Sequence, residues 1–195
     1  MSSEYYPGYI FRDGEDYPEV AAWCNANGCY IKEIMPDKEG RRFEIVEVPP
    51  KSLDEAKADK IAELNAAKNK QLDTGGLEYE EDLFAYDDKA LLRISGTILD
   101  WQDQISRGTV QPEDIVQPWI SKANRVHALS YDQLIELARL LRQEVQRIVF
   151  YGTYLEKLAQ AARTLEELDA IVWDYGAASA SGIIDRLIAG GNQDA

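Results

Sequence analysis

Nine apolar or small residues between Leu134 and Ala162 recur alternately four and three positions apart: Leu134, Ala138, Leu141, Val145, Ile148, Gly152, Leu155, Ala159 and Ala162. Only a long amphipathic α-helix keeps residues so spaced on one face. Ser130 stands at its start with Gln133 three positions on, the spacing of a capping box. Ile135, Leu137, Val149 and Leu158 widen the stripe beyond a coiled-coil seam, so part of it must pack inside its own domain. The stripe nevertheless carries more apolar surface than a small domain easily covers, and its small positions permit close helix approach. Ala138, Leu141, Val145, Ile148, Gly152 and Leu155 are therefore candidate residues of an oligomer or partner interface.

A second helix precedes it. Leu91, Ile94, Ile98, Trp101 and Ile105 lie on one face, Asp87 or Asp88 can cap the start, and Gly108 ends the run. Gly96 lies mid-helix, where glycine costs about 1 kcal/mol against alanine, and a close helix contact would account for it. Between the two helices, "PWI" and "RVHAL" are β-type runs around the turn "SKAN", a hairpin that contains His127, the only histidine. "TLEEL" at 164–168 is a further capping match and predicts a short following helix.

The acidic run "GGLEYEEDLFAYDD" at 75–88 precedes the second helix. It lacks the regularly spaced oxygens and internal glycine of a calcium loop. The reading is a β-hairpin whose packed side is Leu77, Tyr79, Leu83, Phe84 and Tyr86, with its carboxylates in solvent. The final "GAASASGIIDRLIAGGNQDA" is rich in small residues and predicts at most one amphipathic turn pair, at Ile183, Ile184, Leu187 and Ile188.

Residues 1–50 have a different texture. "YYPGYIF" has the aromatic content of a strand, "DGED" is a turn, and "YPEVAAWCNANG" predicts a two-turn helix with Pro18 in its first turn and Gly28 at its stop. "CYIKEIM" and "RRFEIVEV" are strands joined by "PDKEG". The prolines at 49–50 end this element, and Ser52 with Glu55 opens a helix whose apolar stripe (Leu53, Ala56, Ile61, Leu64, Leu72) is narrow. The fold class read from the sequence is α+β and mainly helical. It comprises an α+β docking element (1–50), a linker helix (51–76), a domain of two long amphipathic helices and two hairpins (77–175), and a small-residue C-terminal segment (176–195). Self-association is expected, through the linker helix or the long helix.

The formal net charge is −14 over 195 residues, and no basic stripe offsets it, which disfavours nucleic-acid and anionic-membrane partners. No apolar run approaches the ~20 residues that span a bilayer, and the N-terminus lacks the basic start and apolar run of a signal peptide. Cys24 and Cys29 are read as reduced and partly buried. Two cysteines and one histidine at these spacings make no zinc site, and no phosphate loop, nucleophile elbow or dinucleotide glycine pattern occurs. The four tryptophans lie in apolar patterns, as core anchors. The expectation is no catalysis, no metal and no cofactor.

The order "LEYEEDLFAYDDKALLRISG", "QPWISKANRVHALS", "YDQLIELARLLRQEVQRIVFYGTYLEKLAQA", "ARTLEELDAI" resembles the uncharacterised C-terminal domain of many small bacteriophage and prophage tail proteins. The preceding "LDEAKADKIAELNAAKNKQL" is similar to the helix those proteins carry ahead of it. The likeness covers roughly residues 51–172, and the acidic hairpin departs from it. It implies a virus-tail setting, folding in the host cytoplasm, and no chemistry. The implied function is a structural protein that joins or caps a tail-fibre or baseplate element, with other tail proteins as partners. A fibre assembly chaperone is the alternative, and a carbohydrate-active enzyme a distant third.

Overall fold

The computed structural model describes residues 5–191 apart from Asp13 and Glu15, so the predicted turn "DGED" lies partly outside the described residues. The fold is mixed α+β and mainly helical, and the chain divides into two compact units between Ser52 and Leu53.

The first unit packs one helix on a three-stranded antiparallel sheet. Strand β1 (Ile10–Arg12) precedes helix α1 (Tyr17–Ala26), and β2 (Cys29–Asp37) and β3 (Gly40–Glu47) follow, in the order β1-β3-β2. Pro18 lies in the first turn of α1, and Gly28, at φ +64°, takes the left-handed conformation just past its end. Strand β2 is longer than "CYIKEIM" and includes Pro36, which the sheet accommodates at a register shift between Ile34 and Asp37. Phe11, Val20, Cys24, Cys29, Phe43 and Ile45 form the core, and both cysteines are free thiols. Burial raises the Cys24 thiol above its ordinary pKa, which makes it inert. Arg12 grips Asp37 with two hydrogen bonds of 2.8 Å, tying β1 to the end of β2.

The second unit is built around its longest helix. Helix α2 (Leu53–Thr74) leads through Gly75-Gly76 into a hairpin of β4 (Leu77–Tyr79) and β5 (Asp82–Phe84), then α3 (Asp88–Ser106). A 3-10 turn (Pro112–Asp114) precedes a second hairpin, β6 (Val116–Ile120) and β7 (Val126–Ser130), which runs directly into α4 (Tyr131–Ala161). Three short helices close the chain: α5 (Leu165–Asp169), α6 (Tyr175–Ala180) and α7 (Ile183–Gly191). Three of the predicted caps form. Asp87 accepts from Ala90 N–H, Thr164 accepts from Glu167 N–H, and Ser130 and Gln133 close a complete capping box on α4.

Two expectations about layout are corrected here. The helix at 51–76 is no linker. It lies antiparallel along α4, with Leu64 fully buried in the core and Ala56, Ile61 and Leu72 packed against it. Lys57 Nζ donates to the Gln160 carbonyl, and Lys68 Nζ, further along α2, donates to Glu156, which precedes Gln160 in α4. The segment after 176 is likewise part of the fold. Ala178 and Ile184 are core residues, and Arg147 on α4 binds Asp185 and Ser179.

Gly152 explains how α2 comes so close. A Cβ there would stand 2.6 Å from Lys68 Cδ, so a larger residue would have to displace the lysine stem that crosses α4. Gly96 on α3 is the opposite case. A Cβ there would meet nothing within 4 Å, so no close helix contact accounts for it.

Candidate functional site

The acidic run folds as the β4–β5 hairpin, but its two faces are not those read from the sequence. Leu77 pairs with Phe84 and Tyr79 with Asp82 across a two-residue turn of Glu80 and Glu81, both left-handed (φ 47° and 63°). This turn brings Asp82, not Leu83, to the packed side: Asp82 is buried and Leu83 exposed. Glu80 is held in the strained turn by a 2.7 Å bond from Gln133 Nε2, whose Oε1 caps α4.

Asp82 is a buried carboxylate at the junction of both hairpins. Arg125 Nε donates to Oδ2 at 2.8 Å, Leu83 N–H donates to Oδ1 at 2.8 Å, and His127 Nε2 lies 2.8 Å from Oδ2. A carboxylate can only accept, so the imidazole N–H is the donor. The Arg125 bond is the largest cause holding the Asp82 carboxyl well below the usual carboxylate range, and a Ser121 hydroxyl bond adds to it. Lys122 N–H donates to the Leu83 carbonyl, its Nζ reaches the carbonyls of Thr74 and Gly75, and the Phe84 and His127 rings meet edge to face at 5.0 Å. Serine, histidine and aspartate thus coincide, but in the wrong order for nucleophilic catalysis. A triad places histidine between the other two. Here the carboxylate sits at the centre, and it works as a clasp joining two hairpins too short to be stable alone.

A second polar knot secures the C-terminal helices. The Tyr175 hydroxyl donates to Glu144 at 2.8 Å, and burial raises its pKa above the ordinary phenol range. A cleft of about 320 Å3 gathers Asp73, Asp87 and Asp88 near Tyr86, but Asp87 is engaged as the α3 cap. Among the described residues, no group of three or more His, Cys, Asp or Glu side chains is arranged to hold a metal ion.

The candidate interface on α4 is also relocated. Ala138, Leu141, Ile148, Gly152 and Leu155 are buried and Val145 is partly buried, all within the chain's own core. The surface they were expected to offer is covered by α2, α3, the hairpins and α7. Surface suited to a partner lies elsewhere, in two places that sequence reasoning missed. One is a groove of about 560 Å3 between α3 and α4, lined by Ile98, Leu99, Ile135, Ala138, Arg139 and Arg142 among others. The other is the outer face of the β6–β7 hairpin. Trp119 and Leu129 point inward, while Val116, Ile120 and Val126 are 62%, 58% and 68% exposed beside the exposed Pro118 and Ala128. The period-two alternation of β6 marks two faces, but only the fold tells which is covered.

Among the described residues, no helix is long and apolar enough to cross a membrane. A family model described as a domain of unknown function, DUF4376, matches residues 55–177, more than half of the chain, so the chain belongs to that family. No curated protein and no solved structure matches it.

Proposed function

We propose that this DUF4376 member is a non-enzymatic structural protein of a bacteriophage tail, which joins or caps a fibre or baseplate element. The observation that carries the reading is the outer face of β6–β7. Five apolar side chains (Val116, Pro118, Ile120, Val126 and Ala128) stand together with no charge among them, on a chain of net charge −14. Contiguous exposed apolar surface of this kind serves protein–protein association. The tail setting rests on the resemblance of residues 51–172, a span close to the family match at 55–177. Its partners are then other tail proteins, and its place is the virion.

Quantitative mass spectrometry of purified particles tests this. A structural part is present at fixed copy number, and Ile120→Asp with Val126→Asp removes it from the particle while leaving the free protein's melting unchanged. Absence from particles whose fibres fail to assemble without it supports the chaperone alternative. Turnover of host glycans by the purified protein overturns both.

A further inference from the structure

We propose that a second copy of this chain docks antiparallel on the exposed face of α3, with the two-fold axis beside Gly96. The inference concerns a surface distinct from the outer β6–β7 face and is independent of the tail setting.

At about 100° per residue, Lys89, Leu92, Arg93, Gly96, Leu99, Asp100 and Asp103 all lie within about 60° of one line along α3. That line runs opposite the buried Ile94, and all seven residues are exposed. Leu92 is 76% and Leu99 64% exposed, while Gly96 between them has no side chain and open space above it. The face is therefore a shallow saddle with a leucine at each end, at a glycine that the intramolecular packing does not require.

The face is also self-complementary in charge. Its cations, Lys89 and Arg93, stand on the N-terminal side of Gly96, and its anions, Asp100 and Asp103, on the C-terminal side. A two-fold axis perpendicular to the helix reverses its direction but keeps each flank on its own side. Leu92 then meets Leu99 of the second copy along one flank, beside the groove that Ile135 and Ala138 line. Along the other flank, Arg93 meets Asp100, and near the centre line Lys89 meets Asp103. A parallel pairing would instead set like charges together. Within one copy, Asp103 with Arg107 at 2.8 Å and Asp100 with Gln104 at 3.0 Å are exposed contacts, easily exchanged, and Arg93 lies over the ring of the buried Trp119 at 5.6 Å. A face of fifteen residues is about 22 Å long, smaller than a standard specific interface, so the dimer is weak and transient, with a dissociation constant of roughly 1–100 µM.

Sedimentation equilibrium of the full chain from roughly 1 to 500 µM tests this. The wild type shifts from monomer to dimer. Leu92→Asp stays monomeric with unchanged circular dichroism, because the side chain is outside the core. Lys89→Asp and Asp103→Lys each weaken the dimer roughly tenfold, and together they restore it, since every charge contact between the two copies regains an opposite charge. Gly96→Glu is the decisive variant: it raises the melting temperature of the dilute protein through better helix propensity, yet abolishes the dimer by setting two carboxylates face to face. A wild type that is monomeric throughout, a dimer that survives Gly96→Glu, or a double charge reversal that does not restore association overturns the proposal.

Discussion

Replacing Gly152 by alanine tests whether α2 is held against α4 by the absence of a side chain. In an unobstructed helix the change stabilises by about 1 kcal/mol. At Gly152 the new Cβ would stand 2.6 Å from Lys68 Cδ and 3.3 Å from Cγ, against an ordinary carbon contact of about 3.5–4.0 Å. The lysine stem cannot simply swing away, because Nζ is fixed to Glu156 at 2.9 Å and to Asn65 at 2.6 Å. Overpacking of this kind costs about 1–3 kcal/mol, and displacing the ion pair costs about 1 kcal/mol more. The net expectation for Gly152→Ala is a loss of about 1–3 kcal/mol. With Lys68→Ala already in place, the obstruction is gone and the same substitution gains about 1 kcal/mol. The coupling between the two positions is then about 2–4 kcal/mol. Hydrogen exchange of the α4 core amides reads this unit's opening free energy without interference from the N-terminal one. A Gly152→Ala variant that is equally stabilising in both backgrounds would refute the close-approach argument.

Gly96→Ala, at a position with open space, should raise the stability of the dilute protein by about 1 kcal/mol in the same exchange measurement. A fragment spanning residues 53–191 should melt cooperatively, whereas one ending at 175 should melt well below it or not at all; Ile184→Ala alone should cost about 2–4 kcal/mol, since that side chain is fully buried. The Asp82 carboxyl has a folded-state pKa depressed below its unfolded value, so its contribution is complete above about pH 4 and disappears only as pH falls through the lower folded value. Asp82→Asn should therefore flatten the acid limb of the stability profile below about pH 4 without altering its neutral-to-alkaline shape, read by urea titration at a series of pH values.

Local grammar made the helices and their caps legible. Ser130 with Gln133, Asp87 and Thr164 each act within one turn of the chain, so sequence spacing alone locates them. Burial of the α4 stripe was half legible, because periodicity identifies an apolar face without naming what covers it. The partner proved to be α2, whose stripe looked too narrow for a core helix. Its weak pattern has a cause: Lys68 reaches Glu156 of α4 and Gln71 reaches the buried Tyr86 hydroxyl through their polar ends, where a sequence pattern counts them as surface. The Asp82 clasp was not legible at all. A turn with two left-handed glutamates reverses the expected alternation, and glutamates are not the residues that signal such a turn. The histidine and arginine that complete it lie 45 and 43 positions away.

The antiparallel pairing of α2 with α4 also sets the order of events during synthesis. Lys68 leaves the ribosome 88 residues ahead of Glu156, its partner, which at about 5–20 residues per second is a wait of about 4–18 s. Most of a helix's stability in a protein comes from packing of its apolar face rather than from propensity. Through that interval α2 has no α4 to shelter it, and a broad apolar stripe would invite capture by other nascent chains. Its sparse stripe, with Leu64 as the one fully buried residue among lysines, aspartates and glutamates, lets it remain solvated until the long helix emerges. The polarity that makes α2 resemble a connector equips it to be the first part of its own unit to be made and to wait for α4 before it locks.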